Sequence, residues 1–205
     1  MKKNLMSKIT VILRGYNYKQ IECIAEILSD SIIRNIEITL NSPNAFESIL
    51  KIKNNFPKLN IGAGSVCTLE DALQSIKQKV DFILSPIKLS KEIIDICKVN
   101  KVVCVPSAMT PSEVYEMFKF GADIVKIFPA TTVGPKFFKD IQAPFGDLDL
   151  MAVGGVNLEN AKEFLNNNCK YLGIGSGLFN KNDIETMNKV NLKLSLNDFI
   201  ENVEL

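Results

Sequence analysis

The chain has 205 residues, 46% hydrophobic and 23% charged, which suits one well-buried globular domain spanning 1–205 and is short for two. A net charge of +1 gives no electrostatic case for nucleic acid or an anionic membrane as partner. The absence of histidine removes His-based triads, Cys–His pairs and His-ligated metal sites together.

Short β-branched apolar runs alternate with amphipathic stretches from end to end. The strand-like runs fall at 8–14, 33–39, 59–63, 81–85, 102–106, 123–128, 148–153 and 171–175, and their ends lie 21 to 25 residues apart. That spacing accommodates one strand, one helix and two short loops. Eight such units predict a parallel, eight-stranded (β/α)8 TIM barrel, with a doubly wound sheet as the alternative. Helix starts fit this register. Thr110-Pro111-Ser112-Glu113 reads as a capping box with proline at the first helical position, and Ser42-Pro43 as a similar cap and proline. Gly134-Pro135 opens a stretch running to about Gln142, Ser90 and Asn157 are expected caps, and Gly121 is the expected stop of the helix after Thr110.

Five scattered cysteines (Cys23, Cys67, Cys97, Cys104 and Cys169) have no CxxC spacing, so buried reduced thiols are expected rather than disulfides or structural zinc. Lys2-Lys3 precedes only a brief apolar stretch containing Arg14, too short for a signal peptide or spanning helix, and a cytoplasmic location is the expectation.

Charge at the ends of the apolar runs is the main chemical signal. Arg14 ends Ile9–Leu13, Glu37 sits within Ile36–Leu40, and Lys126 lies in Ile124-Val125-Lys126-Ile127-Phe128. Unpaired buried charge is costly, so such residues are excluded, paired or used. An ordinary lysine is neutral in only about one molecule in 2,500 at pH 7, and burial beside a cation lowers its pKa and supplies more of the amine that attacks carbonyls. Lys126 therefore reads as a Schiff-base nucleophile, or else as half of a buried ion pair with Glu37. Glu37 reads as an acid–base group or only a counter-ion, and Arg14 as a carboxylate or phosphate ligand or a structural ion-pair partner.

In such a barrel the loops after the strands form the active-site face. Gly154-Gly155-Val156-Asn157 follows the seventh run, and Gly173-Ile174-Gly175-Ser176-Gly177 ends the eighth, the usual phosphate-binding position. The last motif is GxGxG rather than a dinucleotide GxGxxG. Gly62-Ala63-Gly64-Ser65 offers N–H groups and a hydroxyl that suit a carboxylate.

On these motifs the chain resembles the class I 2-keto-3-deoxy-6-phosphogluconate/4-hydroxy-2-oxoglutarate aldolase family. The runs that carry the resemblance are Ile36-Glu37-Ile38-Thr39, Gly62-Ala63-Gly64-Ser65-Val66, Leu84-Ser85-Pro86, Lys126-Ile127-Phe128-Pro129-Ala130, Gly154-Gly155-Val156 and Gly175-Ser176. The resemblance implies Lys126 as the Schiff-base lysine, Glu37 as proton shuttle, and Gly154, Gly155 and Ser176 as phosphate contacts, with Gly175 beside them. It also implies chemistry without metal or cofactor, a phosphorylated keto-acid and pyruvate as small-molecule partners, and a homotrimer. Ser65 and Arg14 are expected to hold the keto-acid carboxylate, and Phe128 to wall the imine. Leu40-Asn41-Ser42-Pro43, Leu13-Arg14-Gly15 and Ala152-Val153-Gly154-Gly155 look more like the 2-dehydro-3-deoxy-6-phosphogalactonate branch. Val153 stands where the gluconate branch has threonine, a sensible discriminator between epimers differing at one hydroxyl. Arginine often replaces Asn41 and threonine Ser65 in that other branch, and Pro106-Ser107 departs from the usual glycine after the proline.

Overall fold

The computed structural model describes residues 6–204; Lys2-Lys3 lies outside them. The chain alternates β1 (Ile9–Leu13), α1 (Tyr18–Ser29), β2 (Asn35–Thr39), α2 (Ala45–Asn55), β3 (Asn60–Gly64), α3 (Leu69–Lys77), β4 (Phe82–Leu84) and α4 (Lys91–Val99). It continues through β5 (Val103–Val105), β6 (Ser107–Ala108), α5 (Pro111–Phe120), β7 (Val125–Ile127), α6 (Ala130–Val133) and α7 (Lys136–Phe145). Then follow β8 (Leu150–Val153), α8 (Ala161–Asn166), β9 (Tyr171–Ile174), α9 (Lys181–Glu185) and α10 (Lys189–Val203).

All strand pairs are parallel, in the order β5-β4-β3-β2-β1-β9-β8-β7-β6. The two ends of that order, β5 and β6, are separated in sequence by Pro106 alone. Asp123 N–H donates to Cys104 O at 3.2 Å and Lys126 N–H to Pro106 O at 2.9 Å, so the same stretch meets β4 on one side and β7 on the other. The sheet closes as the TIM barrel, and the expected fifth strand is read as two short ones because proline has no N–H to give the ladder.

Period-two alternation sorts the side chains. Ile36 and Ile38, Ile61 and Ala63, Val125 and Ile127, and Leu150 and Ala152 pack outward among the helices. A second cluster, made of Ile12, Phe82, Leu84, Val103, Val105, Ile124, Met151 and Val153, fills the lumen. Glu37 shares its parity with Gly62 across the β2–β3 ladder, and Lys126 lies opposite Met151 across β7–β8. Both charged groups therefore point into an apolar lumen.

Local signals fared unevenly. Thr110 closes a full capping box with Glu113, Ser90 caps α4, and Gly121 ends α5 in the left-handed conformation at φ 99°. The stretch opened by Gly134-Pro135 becomes α7 and runs on to Phe145. Ser42 is not a cap: α2 starts from Asn44, while Ser42 Oγ accepts from Gly15 N–H at 2.8 Å and lies 3.0 Å from Thr39 Oγ1. Asn157 opens a turn ahead of the helix, its Oδ1 accepting from the N–H groups of Glu159 and Asn160, and Asn160 takes the cap position. Four cysteines are buried as expected, but Cys67 is exposed, in the turn before α3. Among the described residues no helix is long and apolar enough to cross a membrane.

Candidate active site

Lys126 and Glu37 are 4% and 2% exposed, so both ionisable heads lie away from water. Burial pushes the Lys126 amine down from its ordinary value, against the attraction of Glu37 and with help from the Arg14 cation. Burial likewise pushes the Glu37 carboxyl up, while Lys126 and Arg14 pull it down. Desolvation thus drives both groups toward their neutral forms, which are the nucleophilic amine and the proton-donating acid. Among the described residues Glu37 Oε2 has no hydrogen-bond partner. The Lys126 Nζ sits 5.0 Å from the centre of the Phe128 ring, so Phe128 walls the amine as its position in sequence suggests.

Arg14 departs from expectation in one respect. It lies just past the end of β1 and is exposed rather than buried, because the strand stops at Leu13 and the side chain emerges at the mouth. There its Nη1 donates to Asn41 Oδ1 and to Ser65 Oγ, each at 3.2 Å. Residues from the ends of β1, β2 and β3 are thus brought together at one rim. Ser65 holds a left-handed backbone at φ 60°, a conformation costly for a non-glycine residue, and its hydroxyl faces the guanidinium as a result.

The adjoining arc of the same rim, after β8 and β9, encloses a cavity of about 350 Å³ whose wall includes Val153, Gly154, Gly155, Gly175 and Ser176. Gly154 and Gly155 have φ of 96° and 77°, and a Cβ on Gly155 would lie 2.5 Å from Thr131 Oγ1, so only glycine fits this turn. Sequence reasoning missed the polar wall residues Tyr16 and Lys181, and the apolar Ile12 beneath them. Burial and the Glu185 carboxylate push the Tyr16 phenol up, against the pull of Lys181. Arg14 also lines the cavity and, among the described residues, no carboxylate does, so this wall offers the cations Arg14 and Lys181, hydroxyls and glycine backbone to an anion. Lys126 and Glu37 are not in this wall; two of its residues, Ile12 and Val153, belong to the lumen cluster, and Ile12 lies opposite Glu37 across the β1–β2 ladder.

Fold and site together define a (β/α)8-barrel enzyme of the carbonyl-directed class. The model of the KDPG and KHG aldolase family matches residues 2–193, and the chain belongs to that family. It is an aldolase, a carbon–carbon lyase. The 2-dehydro-3-deoxy-6-phosphogalactonate aldolase of Escherichia coli strain K12 is 31% identical over 173 residues, covering 83% of this chain and 84% of that one. The 2-dehydro-3-deoxy-phosphogluconate aldolase of Haemophilus influenzae strain Rd is 28% identical, over 77% and 74% of the two chains. A solved structure of native KDPGal superposes with a TM-score of 0.86 at 27% identity, over 97% of both chains.

Proposed function

We propose that this aldolase reversibly cleaves a 2-keto-3-deoxy-6-phospho sugar acid, of the galactonate series, to pyruvate and glyceraldehyde 3-phosphate through an imine on Lys126. The observation that carries the reading is the buried, downshifted Lys126 amine coupled to a buried carboxyl whose Oε2 has no hydrogen-bond partner among the described residues. Neutral Lys126 attacks the C2 ketone, and Glu37 gives a proton to the departing water. The protonated imine accepts the electron pair as C3–C4 breaks, and the C4 hydroxyl proton leaves to Glu37 or water as the aldehyde forms. The enamine then takes a proton at C3 and hydrolyses to pyruvate. Arg14 and Ser65 hold the keto-acid carboxylate, and Phe128 shields the imine from water. Gly154, Gly155, Gly175 and Ser176 bind the phosphate, through backbone N–H groups and the serine hydroxyl. These steps require neither metal nor cofactor.

Lys181 extends the phosphate site in this reading. Its side chain is exposed and pairs with Glu185 at 3.5 Å, so its contribution is modest, about 1 kcal/mol or roughly fivefold. Lys181→Ala should raise KM for the phosphorylated substrate by about that factor and leave KM for unphosphorylated 4-hydroxy-2-oxoglutarate unchanged. Equal changes with both substrates would remove Lys181 from phosphate binding.

Val153 is the proposed epimer discriminator; it is buried and lines the cavity. A new hydroxyl partner is worth about 1–3 kcal/mol, so Val153→Thr should move the ratio of kcat/KM toward the gluconate epimer by roughly tenfold. Steady-state rates on the two epimers measure it, and an unchanged ratio would place the discrimination elsewhere. The same comparison on the unsubstituted enzyme tests the galactonate assignment.

The homotrimer implied by the resemblance suits the surface. Ile87, Tyr115, Phe128 and Phe145 are exposed apolar residues, and Tyr115 stacks on Phe145 at 5.7 Å to join α5 and α7. Ile87 and Phe128 line one shallow depression with Met109. Three copies burying such surface account for it, and light scattering should read the mass of three chains; a monomer would refute the assignment. A cytoplasmic location is the matching proposal, since reduced cysteines and an unsheltered thiol at Cys67 suit a reducing compartment.

A further inference from the structure

Gly64, in the run expected to offer N–H groups to a carboxylate, lies against Glu37. Its backbone φ is not positive, so alanine would fit the local conformation. Space is the constraint: a Cβ placed on Gly64 would lie 1.7 Å from Glu37 Oε1, 2.4 Å from Cδ and 2.6 Å from Cγ. Three successive atoms of the glutamate therefore rest in the notch where a side chain would be. Gly62, one layer down on the same face, is likewise filled by the Phe82 ring at 2.0 Å. β3 thus carries two notches facing the lumen, one taken by the apolar plug and the other by the carboxyl. Among the described residues no hydrogen bond holds Glu37 Oε2, so the notch is left to fix the lie of that side of the carboxyl.

We propose that Gly64 is a positioning residue whose missing side chain fixes where the Glu37 carboxyl points in the lumen. This rests on the assignment of Glu37 as the acid–base group. The atom that a new methyl meets first is the far end of a flexible side chain. Gly64→Ala accordingly accommodates by turning Glu37 aside rather than by opening the barrel, whereas a substitution at Gly62 strikes a packed ring.

The test compares Gly64→Ala, Glu37→Ala and the double variant in two assays with pyruvate. One is exchange of the methyl protons in deuterated water, read by NMR; the other is the borohydride-trapped adduct on Lys126 after long incubation. Gly64→Ala should melt as a folded protein and still trap the adduct, yet exchange methyl protons at least about 100-fold more slowly, the scale of a lost acid–base group. The double variant should be no slower than Glu37→Ala alone, since the two substitutions remove the same function. Wild-type exchange in Gly64→Ala, with exchange lost in Glu37→Ala, overturns the proposal. So does a double variant whose losses multiply, or a Gly64→Ala protein that also fails to trap the adduct. If Glu37→Ala itself exchanges normally, the assignment of Glu37 fails, and the proposal fails with it.

Discussion

Lys126→Met will abolish turnover, lowering kcat by more than about 10⁴-fold, because no other amine among the described residues is held in the lumen to form the imine and nucleophilic catalysis has no substitute there. Burial costs are concentrated at the same place. Lys126 is pushed down and Glu37 up by desolvation, so each charge is held in the lumen at a price in stability. Replacing two such groups by apolar or neutral isosteres is often stabilising by about 1–4 kcal/mol, and Lys126→Met combined with Glu37→Gln should be more stable than the wild type by an amount in that range. Thermal and urea melts measure it; a double variant several kcal/mol weaker than wild type would mean the pair holds the barrel together. The pH dependence follows from the same shift. With the folded-state value lowered, Lys126 is neutral in the fold yet protonated in the unfolded chain over a window that ends near the ordinary lysine value of about 10.4. In that window the unfolded chain binds more protons, so stability rises with pH, and the cost of burying the cation is complete only below the folded value. The activity of the wild type should rise with pH on a limb whose midpoint lies below that ordinary value. A limb at the ordinary value would show an unperturbed lysine.

Glu37→Gln should separate the chemistry differently. The amide keeps the shape that rests on Gly64 but cannot exchange a proton, so kcat should fall by about 10²–10⁴-fold while KM changes little. Lys126 should still form its adduct with pyruvate, and more readily at neutral pH once the attraction that holds its proton is gone. An unchanged kcat, with the adduct formed more readily, would instead make Glu37 a structural counter-ion. A KM effect larger than the kcat effect would make it a substrate-binding group.

Much of the barrel was legible because the strands obey two simple rules. Their apolar runs recur at the spacing of a strand–helix unit, and alternation within each run decides which residues face the lumen. Lys126 and Glu37 were visible for that reason: a charge at an inward position of so apolar a run must be paired or used. Arg14 shows where the reading weakens. The run reaches Leu13, and one residue decides between lumen and rim, below the precision with which a strand end can be placed from residue types. Pro106 broke the fifth strand for a reason written in the sequence, since proline gives no N–H, yet the run of Val102 to Val105 masked it. Ser42-Pro43 has the composition of a helix cap, but its hydroxyl is taken by Gly15 and Thr39, a tertiary competition no local pattern reveals. Tyr16 and Lys181 are far apart in the chain and meet only because β1 and β9 are neighbours at barrel closure. The notch at Gly64 carried no signal of its own; a glycine in a GxG run reads as a turn or an anion loop until the neighbouring strand is in place.

The measurement that most directly tests the account is borohydride reduction of the wild-type enzyme with pyruvate, followed by peptide mass spectrometry. Imine formation on a buried neutral lysine predicts one reduced pyruvate adduct, on the peptide bearing Lys126, absent without pyruvate and absent from Lys126→Met. Folded, active enzyme that yields no adduct, or carries it on another lysine, would contradict the central claim.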